Sequence, residues 1–520
     1  MNKTVKKIVA FASLLAMSTS TVACAGFGFG EQSGGTELSK GFWAELAQNS
    51  VGGGSSSGKV DYTGDVKING DPTKAVAYDG SAVTVTFYHT MGQKLQEVLN
   101  AWIPEFNKMY PNITIEHKQQ GSYDDLRKQI TTELNGGNSP SIAYCYPDHV
   151  ALYNKSRAVA TLDDFIASTA TVTKADGSTE VMGLTQAGAN EFVRGYYEEG
   201  RAYGDDKMYT LPYSKSTEVL YYNKTFFAKH GLEVPTTWDE METVMQQIIE
   251  IDPTSTPLGY DSEANWFITM CEQLNTPYTT AEEGKKFTYD VTTNHEFVGR
   301  LRDWYQNGYV ITEEIYGAYT SDLFTQTDAS QPKSYMCIGS SAGASYQCPD
   351  PYTDENGQVA YPFEVGVAMP PQINKESPKV ISQGPSLCMF KKSNQEMAAT
   401  WLFMKFLTTT PGLQANFSAA SGYAPVIKNL DTKHEGYATT LATADANANL
   451  QATCIKQCLA QEGAMFVSPA FVGSSGAREE VGILIQNCFV NSPASGQSDA
   501  DFIKAQFKAS VDKLKYEYGA

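Results

Sequence analysis

The residues of this chain that could do chemistry are mostly hydroxyls in Gly/Ser turns and lone charges. Gly339-Ser340-Ser341-Ala342-Gly343 reads G-x-S-x-G after an apolar run, the pattern of a hydrolase nucleophile elbow. Such a serine needs an imidazole, and of six histidines only His434 falls in the C-terminal third. The turn serves better as hydroxyls and backbone N–H groups that hold a ligand, such as an anion at a helix start. Ser214-Lys215-Ser216-Thr217 offers the same small donors beside the strand-like run EVLYYN. Arg478 follows the loop Gly473-Ser474-Ser475-Gly476-Ala477 and precedes the apolar VGILI. A guanidinium so placed can clamp a phosphate or carboxylate bidentately; the plainer alternative is an ion pair with Glu479 or Glu480. Trp266, Tyr123 and Tyr423 carry rings that could stack on a sugar face or pack a core.

Other clusters point away from chemistry. Asp354-Glu355-Asn356-Gly357 lacks calcium-loop spacing and the closing glutamate. Asp124/Asp125, Asp163/Asp164 and Glu479/Glu480 are adjacent, so the members of each pair do not share a helix face. Cys454 and Cys458 stand one helical turn apart, but no histidine or CxxC completes a metal site. No catalytic group, metal or cofactor is expected. A formal net charge of -19 opposes a phosphate backbone, which argues against nucleic acid as a partner.

These residues need elements to position them. Val83–His89 alternates apolar and polar residues as a strand does, and Leu95, Val98, Leu99, Trp102 and Phe106 form a helical stripe that Pro104 should kink or break. NITIEHKQ and SIAYCYP are further strands, separated by a helix that Ser122 caps. Strand–helix–strand–helix–strand predicts a parallel α/β sheet. A second α/β region follows, with capping boxes at Thr237–Glu240 and Ser393–Glu396. At the N-terminus Lys3, Lys6 and Lys7 precede a short apolar run and Thr21-Val22-Ala23-Cys24. This resembles a bacterial lipobox, although Thr21 departs from its usual leucine. Residues 1–24 are then a lipoprotein signal peptide with Cys24 the lipidated residue, and Gly/Ser-rich 25–80 a flexible tether in which Phe42–Leu46 is expected as a brief helix. The membrane would be held by lipid only. With 42% hydrophobic and 12% aromatic residues, the remainder is expected to be globular.

In order, TFYHTMGQKLQEVLNAW, LPYSKSTEVLYYNKTFF, VPTTWDEM, YMCIGSSAG, GPSLCMFKKS, ASGYAPV and GSSGAREEVG resemble the extracellular solute-binding proteins of ABC importers, in their carbohydrate-binding class. The resemblance runs over about residues 82–515 and is nearest to the glycerol-3-phosphate-binding branch. It implies a two-lobe periplasmic-binding-protein-like α/β fold of type II with a hinge of crossing strands. Lobe 1 would comprise 82–212 plus about 363–418, and lobe 2 would comprise 213–362 plus about 419–520. It implies ligand contacts by Tyr123, Ser216, Ser340 or Ser341, the backbone of Gly384, Tyr423 and Arg478. The branch's glutamate falls at Pro147, with Asp148 adjacent; of its paired tryptophans Trp266 is matched and Glu263 replaces the other. The implied function is capture of a sugar or glycerol-phosphate-type solute by a monomer on the extracellular face of a Gram-positive cell membrane. Closure of the cleft would deliver the solute to an ABC permease. The alternatives are a secreted serine hydrolase using Ser341 and a receptor for a signalling protein.

Overall fold

Capping acts locally at Ser122 and Thr237 as the sequence predicts in the computed structural model, which describes residues 38–50, 64–444 and 447–519. The box expected at Ser393–Glu396 is half formed: the Ser393 hydroxyl accepts from the Glu396 N–H, but Glu396 Oε1 accepts from Ser141 Oγ. The hydroxyl of Ser122 accepts from the Asp125 N–H, and Asp125 accepts in return from the Ser122 N–H, which starts the helix Tyr123–Gly136. Thr237 and Glu240 form the same box at the start of Trp238–Ile251. The helix Gln93–Met109 runs through Pro104 without a break. Burial of Leu99 and Phe106 on its inner face outweighs the single hydrogen bond the proline removes. The signal segment and Cys24 lie outside the described residues. No helix among the described residues is long and apolar enough to cross a membrane.

Two large sheets hold most of the strands, and the pairs Thr171–Thr173 with Thr179–Val181 and Tyr352–Thr353 with Val359–Ala360 form two small ones. The first large sheet has the order Ile113–Gln119, Val83–His89, Ile142–Cys145, Ser386–Met389, Thr210–Pro212. Its first three strands are parallel, and Ser386–Met389 is antiparallel to both neighbours. The second sheet is built on Ser216–Asn223, which pairs antiparallel with Met336–Ser340, Val365–Ala368 and Val380–Gln383. Leu258–Tyr260 and Val310–Thr312 continue it in parallel. Each large sheet has its own core: Phe87, Phe106, Trp401 and Phe403 in the first, Trp238, Trp266, Trp304 and Phe507 in the second.

The ladders correct the expected division of the chain. Val365–Ala368 and Val380–Gln383, expected in the first lobe, belong to the second sheet, because both add to Ser216–Asn223. The chain returns to the first sheet only after Gln383. There, Gly384 adopts a φ of +88°, and a Cβ on it would sit 2.4 Å from the Ser214 carbonyl oxygen. Glycine therefore lets two crossing segments lie side by side. A third crossing joins them, since Lys215 and Ala424 exchange backbone hydrogen bonds at 3.0 and 2.6 Å. The Lys215 ammonium, fully buried, donates to Glu199 Oε1 at 2.5 Å and to the Gly384 carbonyl at 3.2 Å.

The stretch 25–80 is not all tether. Phe42–Ser50 is a helix whose Trp43, 1% exposed, packs edge-on to Trp304 at 5.5 Å. Val66 and Tyr78 are buried in the first core. A few large apolar residues in a polar, glycine-rich stretch suffice to dock it.

Candidate functional site

A cavity of about 110 Å³ opens where the two sheets meet. From the first sheet's side come Tyr146 and Asp148, at the start of the helix that follows the strand Ile142–Cys145. From the second come Ser474 and Arg478, on the first turns of the helix Ser474–Val490, and Tyr278. Ser382 and Gln383 form its floor where the chain crosses back. Both walls thus bring charge to the cavity, Asp148 on one and Arg478 on the other.

Arg478 donates through Nη2 to Asn265 Oδ1, and its other guanidinium nitrogens have no protein partner among the described residues. Asp148 Oδ2 and Gln383 Oε1 are buried acceptors without a hydrogen-bond partner among the described residues. Tyr123 stands behind Tyr146, with ring centroids 4.6 Å apart. Burial pushes the hydroxyls of Tyr123, Tyr146 and Tyr278 up, so all three remain neutral at ordinary pH. The site can therefore donate to an anion, accept from hydroxyls and cover an apolar stem with rings.

Of the nine residues singled out in the sequence as ligand contacts, Asp148 and Arg478 line this cavity. Tyr123 and Tyr423 form the layer behind Tyr146. Ser216 is 2% exposed and pairs with Gln383 in the ladder, while Gly384 holds the crossing. Ser340 caps the following turn by accepting from the Ala342 N–H at 3.2 Å. The Ser341 hydroxyl, fully buried, accepts from the Thr217 N–H at 3.3 Å, and no histidine hydrogen-bonds to it. That arrangement does not make a nucleophile. Trp266 does not reach the cavity either. It is fully buried in the second core and stacks on Tyr260 at 4.6 Å, because Trp238 and Trp304 close round it.

Sequence reasoning missed Tyr146, Tyr278 and Gln383. Tyr146 carried a signal, since it ends a buried parallel strand, where open α/β sheets place their ligands. Gln383 carried a weaker one, as a polar residue ahead of Gly384. Tyr278 carried none.

The model of the bacterial extracellular solute-binding protein family matches residues 101–447. The chain belongs to this family. Among relatives of this solute-binding protein is the sn-glycerol-3-phosphate-binding periplasmic protein UgpB of Rhizobium meliloti (strain 1021). It is 27% identical over 354 residues, which cover 62% of this chain and 77% of that protein. UgpB of Escherichia coli (strain K12) is 27% identical over 167 residues, only 31% of this chain and 34% of that protein. Among solved structures, UgpB from Mycobacterium tuberculosis in complex with glycerophosphocholine matches with a TM-score of 0.64 at 16% identity, over 84% of this chain and 99% of that one. The GacH receptor of Streptomyces glaucescens, solved unliganded and with acarbose, matches with a TM-score of 0.62 at 17% identity, with the same coverage. At these identities the structures speak to the two-lobe fold alone.

Proposed function

We propose that this solute-binding protein captures a small polyol bearing an anionic group, of the glycerol phosphate or glycerophosphodiester class, for an ABC importer. The observation that carries this reading is the pairing, in one small cavity, of the Arg478 guanidinium with two unpartnered acceptors, Asp148 Oδ2 and Gln383 Oε1. The guanidinium and the first turn of the Ser474–Val490 helix take the anion, the acceptors take hydroxyls, and Tyr146 and Tyr278 cover the carbon stem. Tyr123, Tyr423, Ser216 and Gly384 support this wall from behind. The relatives named for sn-glycerol-3-phosphate, and the fold neighbour solved with glycerophosphocholine, agree with it.

Because the wall comes from both lobes, a bound solute favours their closed arrangement, and the closed form is what the permease receives. The protein works as a monomer on the outer face of the membrane, held by lipid on Cys24.

Thermal-shift and calorimetric titration with glycerol 3-phosphate, glycerophosphodiesters and maltooligosaccharides tests the reading. A true ligand at a hundred times its Kd stabilises by about 2.7 kcal/mol. Arg478→Ala should weaken an anionic ligand by about 2–4 kcal/mol, the scale of a lost charge-assisted contact. Unchanged phosphate-ester affinity in that variant sinks it. One observation favours a neutral oligosaccharide instead: Tyr319 and Tyr346, 63% and 75% exposed, offer rings on the second lobe, Tyr319 close to Tyr423. Stabilisation by the oligosaccharides alone would select that second reading.

A further inference from the structure

Behind Arg478 runs a buried chain of polar side chains that takes no part in the cavity wall. Arg478 donates to Asn265 Oδ1, and the rest of the Asn265 amide faces the Glu218 carboxylate. Glu218 accepts from the Tyr260 hydroxyl through Oε2 at 2.7 Å. Asn265 and Glu218 are each 3% exposed, and Tyr260 is locked in place by its stack on Trp266. The order of donors is fixed by chemistry. A guanidinium can only donate, so Asn265 must turn its oxygen to Arg478, which leaves its NH2 for Glu218. Glu218 is the third residue of the strand Ser216–Asn223, where a buried carboxyl is costly unless it has partners.

We propose that Glu218 and Asn265 are positioning residues for solute capture. The chain Tyr260–Glu218–Asn265 aims the Arg478 guanidinium at the cavity, and an ionised Glu218 offsets part of its charge. An anionic solute is therefore held more tightly when Glu218 carries a proton. This rests on the reading of Arg478 as the anion-binding group.

The surroundings of Glu218 support the coupling. Burial pushes its carboxyl up to about 7, while hydrogen bonds from Tyr260 and Asn265 and the charge of Arg478 pull it down, and Asp261 adds a push upward. The titratable and charged groups facing it are Tyr260, which ends the strand Leu258–Tyr260, Asp261 just after it, and Arg478 on the Ser474–Val490 helix. From the neighbouring helical segment, Gln461 donates only to the Glu218 backbone carbonyl, at 3.1 Å. Glu263, on the Asn265 helix, is a further buried carboxyl. Burial holds the Tyr260 hydroxyl well above its usual range, so it stays a donor throughout. Glu218 is thus the member of the chain whose charge changes near neutrality, and linkage requires that anion binding and its protonation favour each other.

Two measurements separate this proposal from the reading it rests on. Without solute, infrared difference spectra follow the protonated-carboxyl stretch that disappears in Glu218→Gln. Its midpoint should lie near 7 in the wild type and move upward in Arg478→Met, where the opposing charge is gone. An unmoved midpoint overturns the coupling. With solute, the probe is glycerophosphoglycerol, whose phosphodiester charge is constant between about pH 5.5 and 8.5. Its Kd should rise on the order of tenfold across that range, and Glu218→Gln should remove most of the rise. Tyr260→Phe, which leaves Arg478 untouched, should raise the infrared midpoint and the binding transition together; this variant decides the matter if Glu218→Gln fails to fold. A merely structural role would lower stability without moving either profile, and an unchanged pH profile in Glu218→Gln overturns the proposal. If glycerophosphoglycerol binds no variant at any pH, the anion reading of the cavity fails, and the infrared midpoint still decides the Glu218–Arg478 coupling.

Discussion

Glu218 ties a residue's energetics to the pH at which the fold is firmest. Its folded-state carboxyl titrates near 7 instead of the ordinary 4.5, because burial disfavours the ion. Between those values the folded chain holds a proton that the unfolded chain releases. Stability from this group is therefore full below 4.5, falls as pH rises through 7, and is flat above. Glu218→Gln removes that slope. Relative to wild type, the variant should gain up to about 3 kcal/mol between pH 4.5 and pH 8, read from urea unfolding midpoints at the two pH values. Equal differences at both would mean that Glu218 titrates normally. Nothing in the sequence singled this residue out. STEVLYYN showed a strand, but which strand neighbours bury its one carboxyl depends on Tyr260 and Asn265, some 40 residues away.

The elements were more legible than the way they meet. The cap at Ser122 and the capping box at Thr237 lie within four residues of the groups they satisfy, so sequence alone finds them. The crossing strands are a different matter. Lys215 read as part of a polar turn, yet it is fully buried and paired with Glu199, whose other oxygen accepts from Ser382 at 3.1 Å. The partners sit on three separate segments, and only the assembled sheets bring them together. For the same reason Val365–Ala368 and Val380–Gln383 went to the wrong lobe, since ladder partners more than 140 residues apart leave no local trace. The Lys215 pair predicts a sharp asymmetry. Lys215→Met leaves Glu199 buried beside no cation and should destabilise by about 3–5 kcal/mol, whereas Lys215→Met with Glu199→Gln should recover much of that loss. A double variant as unstable as the single one would show that the lysine acts through packing alone.

At the scale of the whole molecule, one contact reaches across the cleft without any solute. Arg127, on the first lobe's helix Tyr123–Gly136, donates to Ser475 Oγ at 3.0 Å and pairs with Glu479, both on the second lobe's helix Ser474–Val490. Asp124 on its own helix steadies the guanidinium. The Glu479 side chain is 55% exposed, so the pair contributes about 1 kcal/mol or less and is screened by salt. Such a modest term still matters where two arrangements differ by only a few kcal/mol: a change of 1 kcal/mol alters their ratio about fivefold. Arg127→Met should therefore shift the ligand-free protein toward the open form. In small-angle scattering it should show a larger radius of gyration than wild type at low salt, and the two should converge at high salt. Solute affinity should fall by up to about fivefold at low salt, because more of the free protein must then be closed by binding. Since Arg127 does not line the cavity, the bound form should scatter alike in both proteins. A ligand-free radius that is the same in both proteins at low salt would show that the latch does not set the balance between open and closed, and would leave that balance to the crossing strands at Lys215 and Gly384.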